Sequence, residues 1–176
     1  MTNKADRLLK NIESYYDKDN YNKILNKVGE LEEKPTIKKQ AQYINSLLEC
    51  ISENYGGEEA RKVMRPCVYH CISNNIINIA KEIYKKSSDV EEFLKLLNDN
   101  GIGGGYLHIE NNKIIAIYDR CYCGIPKALK TLSPIYCECS GGWFQKLFSS
   151  VFEKAVTVKR IDTILNGADK CTFEIE

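Results

Sequence analysis

The hydrophobic pattern of the chain changes period at Gly101. Before it, apolar residues recur every three or four positions; after it they mostly alternate in twos. In "ADRLLKNIESYYD", Leu8, Ile12 and Tyr15 or Tyr16 share a helical stripe. Ile24, Leu25, Val28 and Leu31 form a second stripe, which Pro35 should end. Ile37, Ala41, Ile44, Leu48 and Ile51 form the clearest one, stopped by Gly56-Gly57. "EEARKVMRPCVYHCIS" starts another helix, with a kink or fresh start expected at Pro66. "NNIINIAKEIYKKS" reads as the next helix. "DVEEFLKLLNDN" follows, introduced by Ser88 and Glu91 as a capping box.

Beyond Gly101, "GGYLHIE" and "KIIAIYDRC" flank Asn111-Asn112, a pair that tolerates the positive φ of a tight hairpin. Extended structure is expected to resume near Ile135–Cys139. A short amphipathic helix should follow, with Trp143, Leu147 and Val151 on one face. "VTVKRIDTIL" should pair with "KCTFEIE", where Cys171, Phe173 and Ile175 share one side. The alternation slips between Val158 and Ile161, so a bulge is expected near Lys159-Arg160. Helices first and mostly antiparallel strands afterwards define an α+β fold. The pattern predicts N-terminal helices packed on a sheet built from the C-terminal half. We read residues 1–176 as a single domain, with 1–100 mainly helical and 101–176 a Cys-rich β/α part.

The net charge of +1 gives no bulk electrostatic case for nucleic acid or anionic lipid. The longest aliphatic run, Ile114 to Ile117, is far short of a membrane span. The first residues, "MTNKADRLLKNIESYY", carry no apolar core of a secretory signal, so the cytoplasm is the expected compartment. In that compartment the 8 cysteines read first as metal ligands, reactive thiols or buried apolar residues.

Four of those cysteines lie close together in "CYCGIPKALKTLSPIYCEC", as the pairs Cys121/Cys123 and Cys137/Cys139. On a strand, residues i and i+2 project to one face, and in a turn they can approach closely enough for joint ligation. If each pair ends a strand and the strands are neighbours, four sulfurs converge on one centre. Such a tetrathiolate suits zinc, ahead of an iron–sulfur cluster. Cys67 and Cys71 are the next candidate ligands, because i and i+4 share a helix face. His70 could join them, although a lone histidine there reads first as a core or surface residue. Cys50 and Cys171 read as core thiols.

A nucleophilic reading competes with the metal one. Cys139 precedes "SGGW", where a helix is expected to open with Ser140 as its cap. A helix N-terminus favours a thiolate, and the amides of Gly141, Gly142 and Trp143 would hold an oxyanion. Asp169 brackets the last loop, as a turn residue or a ligand-orienting one. "GIGGGY" follows a helix rather than a strand, so it reads as a helix end and not a dinucleotide fingerprint.

The order "GGGYLHIENNKIIAIYDRCYCG", "YCECSGGWFQKLFSSVF" and "VTVKRIDTILNGADKCTFEI" resembles an uncharacterised bacterial Cys-rich family. More distantly it is similar to the 4-vinyl-reductase domain and to L-2-amino-thiazoline-4-carboxylic acid hydrolase-like proteins. The match falls on Cys121, Cys123, Cys137, Cys139, Trp143, Gly167, Asp169 and Cys171. The resemblance implies helices on an antiparallel sheet with a buried ligand pocket, for which Trp143 and Tyr118 are the expected lining. Three functions follow as expectations. The first is a zinc-type domain that binds a small, partly apolar molecule. The second is a thiol- or metal-dependent hydrolase opening a cyclic C=N or amide bond, with Cys139 as nucleophile or ligand. The third is a structural subunit that forms a homodimer through its helical half.

Overall fold

Residues 3–176 are described by the computed structural model, His70 by its backbone alone. In chain order the α-helices are α1 (Lys4–Tyr15), α2 (Lys18–Val28), α3 (Ile37–Tyr55), α4 (Gly57–Met64), α5 (Asn74–Lys86), α6 (Val90–Asp99), α7 (Gly124–Ala128) and α8 (Glu138–Phe152). The strands are β1 (Leu107–Glu110), β2 (Lys113–Tyr118), β3 (Val158–Asp162) and β4 (Cys171–Ile175). The fold is therefore α+β, with most helices in the first half and the sheet in the second. The chain forms two compact units that do not follow chain order. One takes the chain up to Cys67 together with Cys121–Cys139; the other takes Val68–Arg120 and Ser140–Glu176.

The first unit is helical. Its central element is α3, which packs against α1, α2, α4, α7 and the 3-10 turn Pro134–Cys137. The reason is visible in its sequence. Ile44, Leu47, Leu48 and Ile51 are all buried on one side, and Ala41 lets a neighbour come close. From α1, Leu8 and Ile12 are buried, and α4 contributes Ala60, Val63 and Met64. Both α1 and α3 have side-chain caps, from Asn3 and Thr36. Gly56 ends α3 at φ 97, a conformation that L side chains rarely adopt. The second helix is shorter than its stripe suggested: α2 stops at Val28, with Gly29 at φ 83, before Pro35 is reached. After α4 the chain tightens into the 3-10 segment Arg65–His70 around Pro66.

The second unit packs helices on an antiparallel sheet of order β1-β2-β4-β3. Asn111 and Asn112 turn the hairpin at φ 51 and 61, the doubly positive pair such a turn requires. β4 is buried at Cys171, Phe173 and Ile175, as its alternation predicts. The register between β3 and β4 slips between Arg160 and Asp162, and Ile161 stands 51% exposed at the slip. The bulge therefore sits one residue beyond the expected position. The inner sheet face supplies Ala116, Phe173 and Ile175 to a core that also holds Phe93, Phe144 and Phe148. The start of α6 differs from expectation by one residue. Asp89, not Ser88, is the cap, and the Glu92 carboxylate accepts the Ser88 N–H.

Gly104 shows why that stretch is glycine-rich. It has φ +88, and a Cβ there would meet the Tyr118 ring at 2.6 Å. The "GIGGGY" stretch is thus a helix end followed by a close backbone approach, with positive φ at Gly101, Gly103, Gly104 and Gly105.

Candidate functional site: a thiol with three donors

The Cys-rich segment lies in the helical unit, and its local structure is not extended. β2 ends at Tyr118, so Cys121 and Cys123 lie beyond the sheet. Cys123 caps the short helix α7, and its Sγ accepts from the Ile125 N–H at 3.4 Å. Ser133 and Pro134 then open a 3-10 turn that closes at Cys137. Serine accepts from the Ile135 N–H, and proline at the first helical position needs no donor. That turn runs directly into α8, which begins at Glu138. Neither Cys-x-Cys pair is therefore on a strand, which corrects the expectation that each pair ends one.

The same boundary corrects the oxyanion site. Cys139 is the second residue of α8, and Ser140 lies inside the helix rather than capping it. The Glu138 N–H already bonds back to the Ile135 and Tyr136 carbonyls. Gly142 and Trp143 sit far enough in for their amides to bond four residues back, which leaves them no donor for a ligand. Gly141 and Gly142 are buried within the helix.

Cys67 and Cys71 fall on the 3-10 stretch and just after it, not on one α-helical face. Cys67 is buried and takes a 3.1 Å hydrogen bond from Asn11 Nδ2; Cys71 is exposed. The side chain of His70 lies outside the described residues. Among the described residues, no group of three or more His, Cys, Asp or Glu side chains is arranged to hold a metal ion. Cys50 and Cys171 are buried, as expected of core thiols, and burial pushes the Cys50 thiol up from its ordinary value.

Tyr118 and Trp143 are brought onto the same ring. Phe144 lies 5.1 Å from Tyr118 and 5.3 Å from Trp143, centroid to centroid. They belong to the aromatic core of the sheet unit. Asp169 is exposed in the β3–β4 loop. A separate groove of 480 Å³ in that unit is lined by Tyr84, Ile109, Lys113, Phe152 and their neighbours. None of the expected ligand-binding residues lines it.

What the helical unit does assemble is a set of donors around one sulfur. Lys4 Nζ donates to Cys123 Sγ at 2.7 Å. The Tyr136 hydroxyl lies 3.1 Å from the same sulfur, and Tyr136 itself is buried. With the Ile125 amide, three groups that can donate a proton surround Cys123. Of the three, the bond from the lysine ammonium is the charge-assisted kind, the stronger one. Lys4 is the first residue of α1, where the helix dipole favours an acid over a cation. Beside the thiol the surface is partly apolar. A Cβ at Gly124 would sit 3.9 Å from Ile37 Cδ1, and Ile37 is 56% exposed.

Close by in the sequence, Glu138 is 2% exposed, and its Oε2 accepts from Arg65 Nη2 at 2.5 Å. Arg61 Nε stands 4.0 Å from Oε1. A buried carboxylate between two cysteines is held by cations from the preceding helical segments. Sequence reasoning missed Lys4, Tyr136, Arg65 and Glu138. The usable signals were a lysine at the first turn of a capped helix and a lone acid in the otherwise apolar "IYCEC".

No curated protein and no solved structure matches the chain, so neither the 4-vinyl-reductase nor the thiazoline-hydrolase resemblance gains support from them. Among the described residues, no helix is long and apolar enough to cross a membrane. A family of unknown function, DUF6144, matches residues 2–176, and the chain belongs to that family.

Proposed function

We propose that this protein handles a small electrophilic molecule through a thiol site centred on Cys123. One observation carries the reading: Lys4 Nζ at 2.7 Å and the Tyr136 hydroxyl at 3.1 Å from a single sulfur. A thiol is activated by a nearby cation, because the thiolate is the nucleophile. In the reaction the Cys123 sulfur would form a C–S bond as a C=N or C=O π bond opens. The nitrogen or oxygen that gains the electron pair would take the Tyr136 proton, which solvent then restores. The exposed Ile37 supports a molecule that is partly apolar. A thiol site of this kind works only while reduced, which fits the cytoplasm. The metal-centred reading has less to stand on, since neither Cys-x-Cys pair lies on a strand.

The test uses two alkylating reagents of opposite character, iodoacetate and neutral iodoacetamide, with site-resolved mass spectrometry. The Lys4 ammonium should draw the anionic reagent. Lys4→Met is expected to slow iodoacetate at Cys123 about tenfold, and iodoacetamide by less. Tyr136→Phe should slow both by a few-fold, roughly the loss of one hydrogen bond. Equal rates in wild type and Lys4→Met with both reagents would remove Lys4 from the site and the proposal with it.

A further inference from the structure

We infer that Lys4 and Cys123 form a reversible covalent bridge through one oxygen atom when the protein meets a peroxide. In an N–H···O bond the nitrogen typically lies about 2.9 Å from oxygen, and sulfur is the larger atom. At 2.7 Å, Lys4 Nζ is closer to Cys123 Sγ than a hydrogen bond to sulfur needs. That separation is the span of a single oxygen bonded to both atoms at a bent angle. A direct nitrogen–sulfur bond would need the two atoms to close by the better part of a bond length. The oxygen bridge therefore asks for the least movement of α1 and of the turn that carries Cys123.

The chemistry balances with hydrogen peroxide as oxidant. Cys123–SH, Lys4–NH₂ and two molecules of peroxide give Cys123–S–O–NH–Lys4 and three of water. The S–H bond and two N–H bonds contribute three hydrogens, of which one N–H remains. Sulfur and nitrogen each lose two electrons, and the two peroxide O–O bonds accept them. The first step is oxidation of the thiolate to the sulfenic acid, the usual entry to thiol oxidation. Lys4 enters as the neutral amine, after releasing its proton to solvent. A thiol reductant such as dithiothreitol reverses the bridge, returning the thiol and the amine with loss of the oxygen as water. The bridge would protect Cys123 from the irreversible sulfinic and sulfonic acids. It would also silence the thiol, and that consequence alone rests on the function proposed above.

The experiment treats the intact protein with dilute hydrogen peroxide and follows its mass and its cross-linked peptides. The expected product is heavier by about 14 Da, one oxygen gained and two hydrogens lost. Its digest should contain the Lys4 peptide joined to the Cys123 peptide, and dithiothreitol should release both. Lys4→Arg keeps the cation but lacks the amine, so it should give no joined peptide. Cys123→Ser should give none either. Three results would overturn the inference: Cys123 oxidised with Lys4 unlinked, Cys123 left unchanged, or the same gain in mass in Lys4→Arg. The alkylation rate of untreated protein tests the thiol function separately, so either idea fails without the other.

Discussion

Replacing Phe173 with alanine is expected to destabilise the sheet unit by about 4 kcal/mol, the usual cost of emptying a buried aromatic site. Phe173 is 0% exposed and lies on the central strand β4. Its ring meets Phe144 at 5.4 Å and Tyr118 at 6.0 Å. The cavity would open where the sheet meets α8, and neither partner can collapse far. Tyr118 is held against Gly104, and Phe144 against Trp143. Trp143 is the single tryptophan of the chain and touches this cluster, so its fluorescence in urea reads the loss directly. A cost below about 1.5 kcal/mol would mean that the cluster repacks, contrary to this view of the core.

Arg65→Met is expected to cost about 2–3 kcal/mol in the helical unit. Breaking a buried pair from one side strands the other charge, and that penalty exceeds the net worth of the pair. Glu138 is 3% exposed in its side chain, while Arg65 is 32% exposed, so the stranded carboxylate is the costly partner. Arg61 cannot take over without moving, since its Nε is 4.0 Å away and its Nη1 already donates to the Glu58 carboxylate at 3.1 Å. The double change Arg65→Met with Glu138→Gln removes the stranded charge and should recover more than half of the loss. Urea unfolding followed by circular dichroism measures both variants. A double variant no more stable than Arg65→Met alone would contradict the argument.

The fold was legible wherever a periodic signal was long or a turn residue was decisive. Asn111-Asn112, the alternation of Cys171, Phe173 and Ile175, and the stripe through Ile44, Leu48 and Ile51 all reported their true structure. Boundaries were less legible because neighbouring residues competed for one role. Ser88 and Asp89 both suit a cap, and the aspartate takes it. The Cys-rich segment misled for a physical reason. "IYCEC" is a short, mostly apolar run that suits a buried strand as well as a helical turn, but Ser133-Pro134 just before it starts a helical turn. The thiol site was illegible locally because Lys4 and Cys123 are 119 positions apart. Only the packing of α1 and α7 against α3 supplies the frame in which they meet.

The most direct measurement ranks the cysteines by reactivity. Native protein at neutral pH is pulsed with a light alkylating reagent, unfolded, and completed with a heavy one. Cys123 should label first, about tenfold faster than the exposed Cys71, with the buried Cys50, Cys67, Cys137 and Cys171 slowest. Labelling led by Cys71 or Cys139, with Cys123 no faster than an ordinary surface thiol, would contradict the assignment of the site.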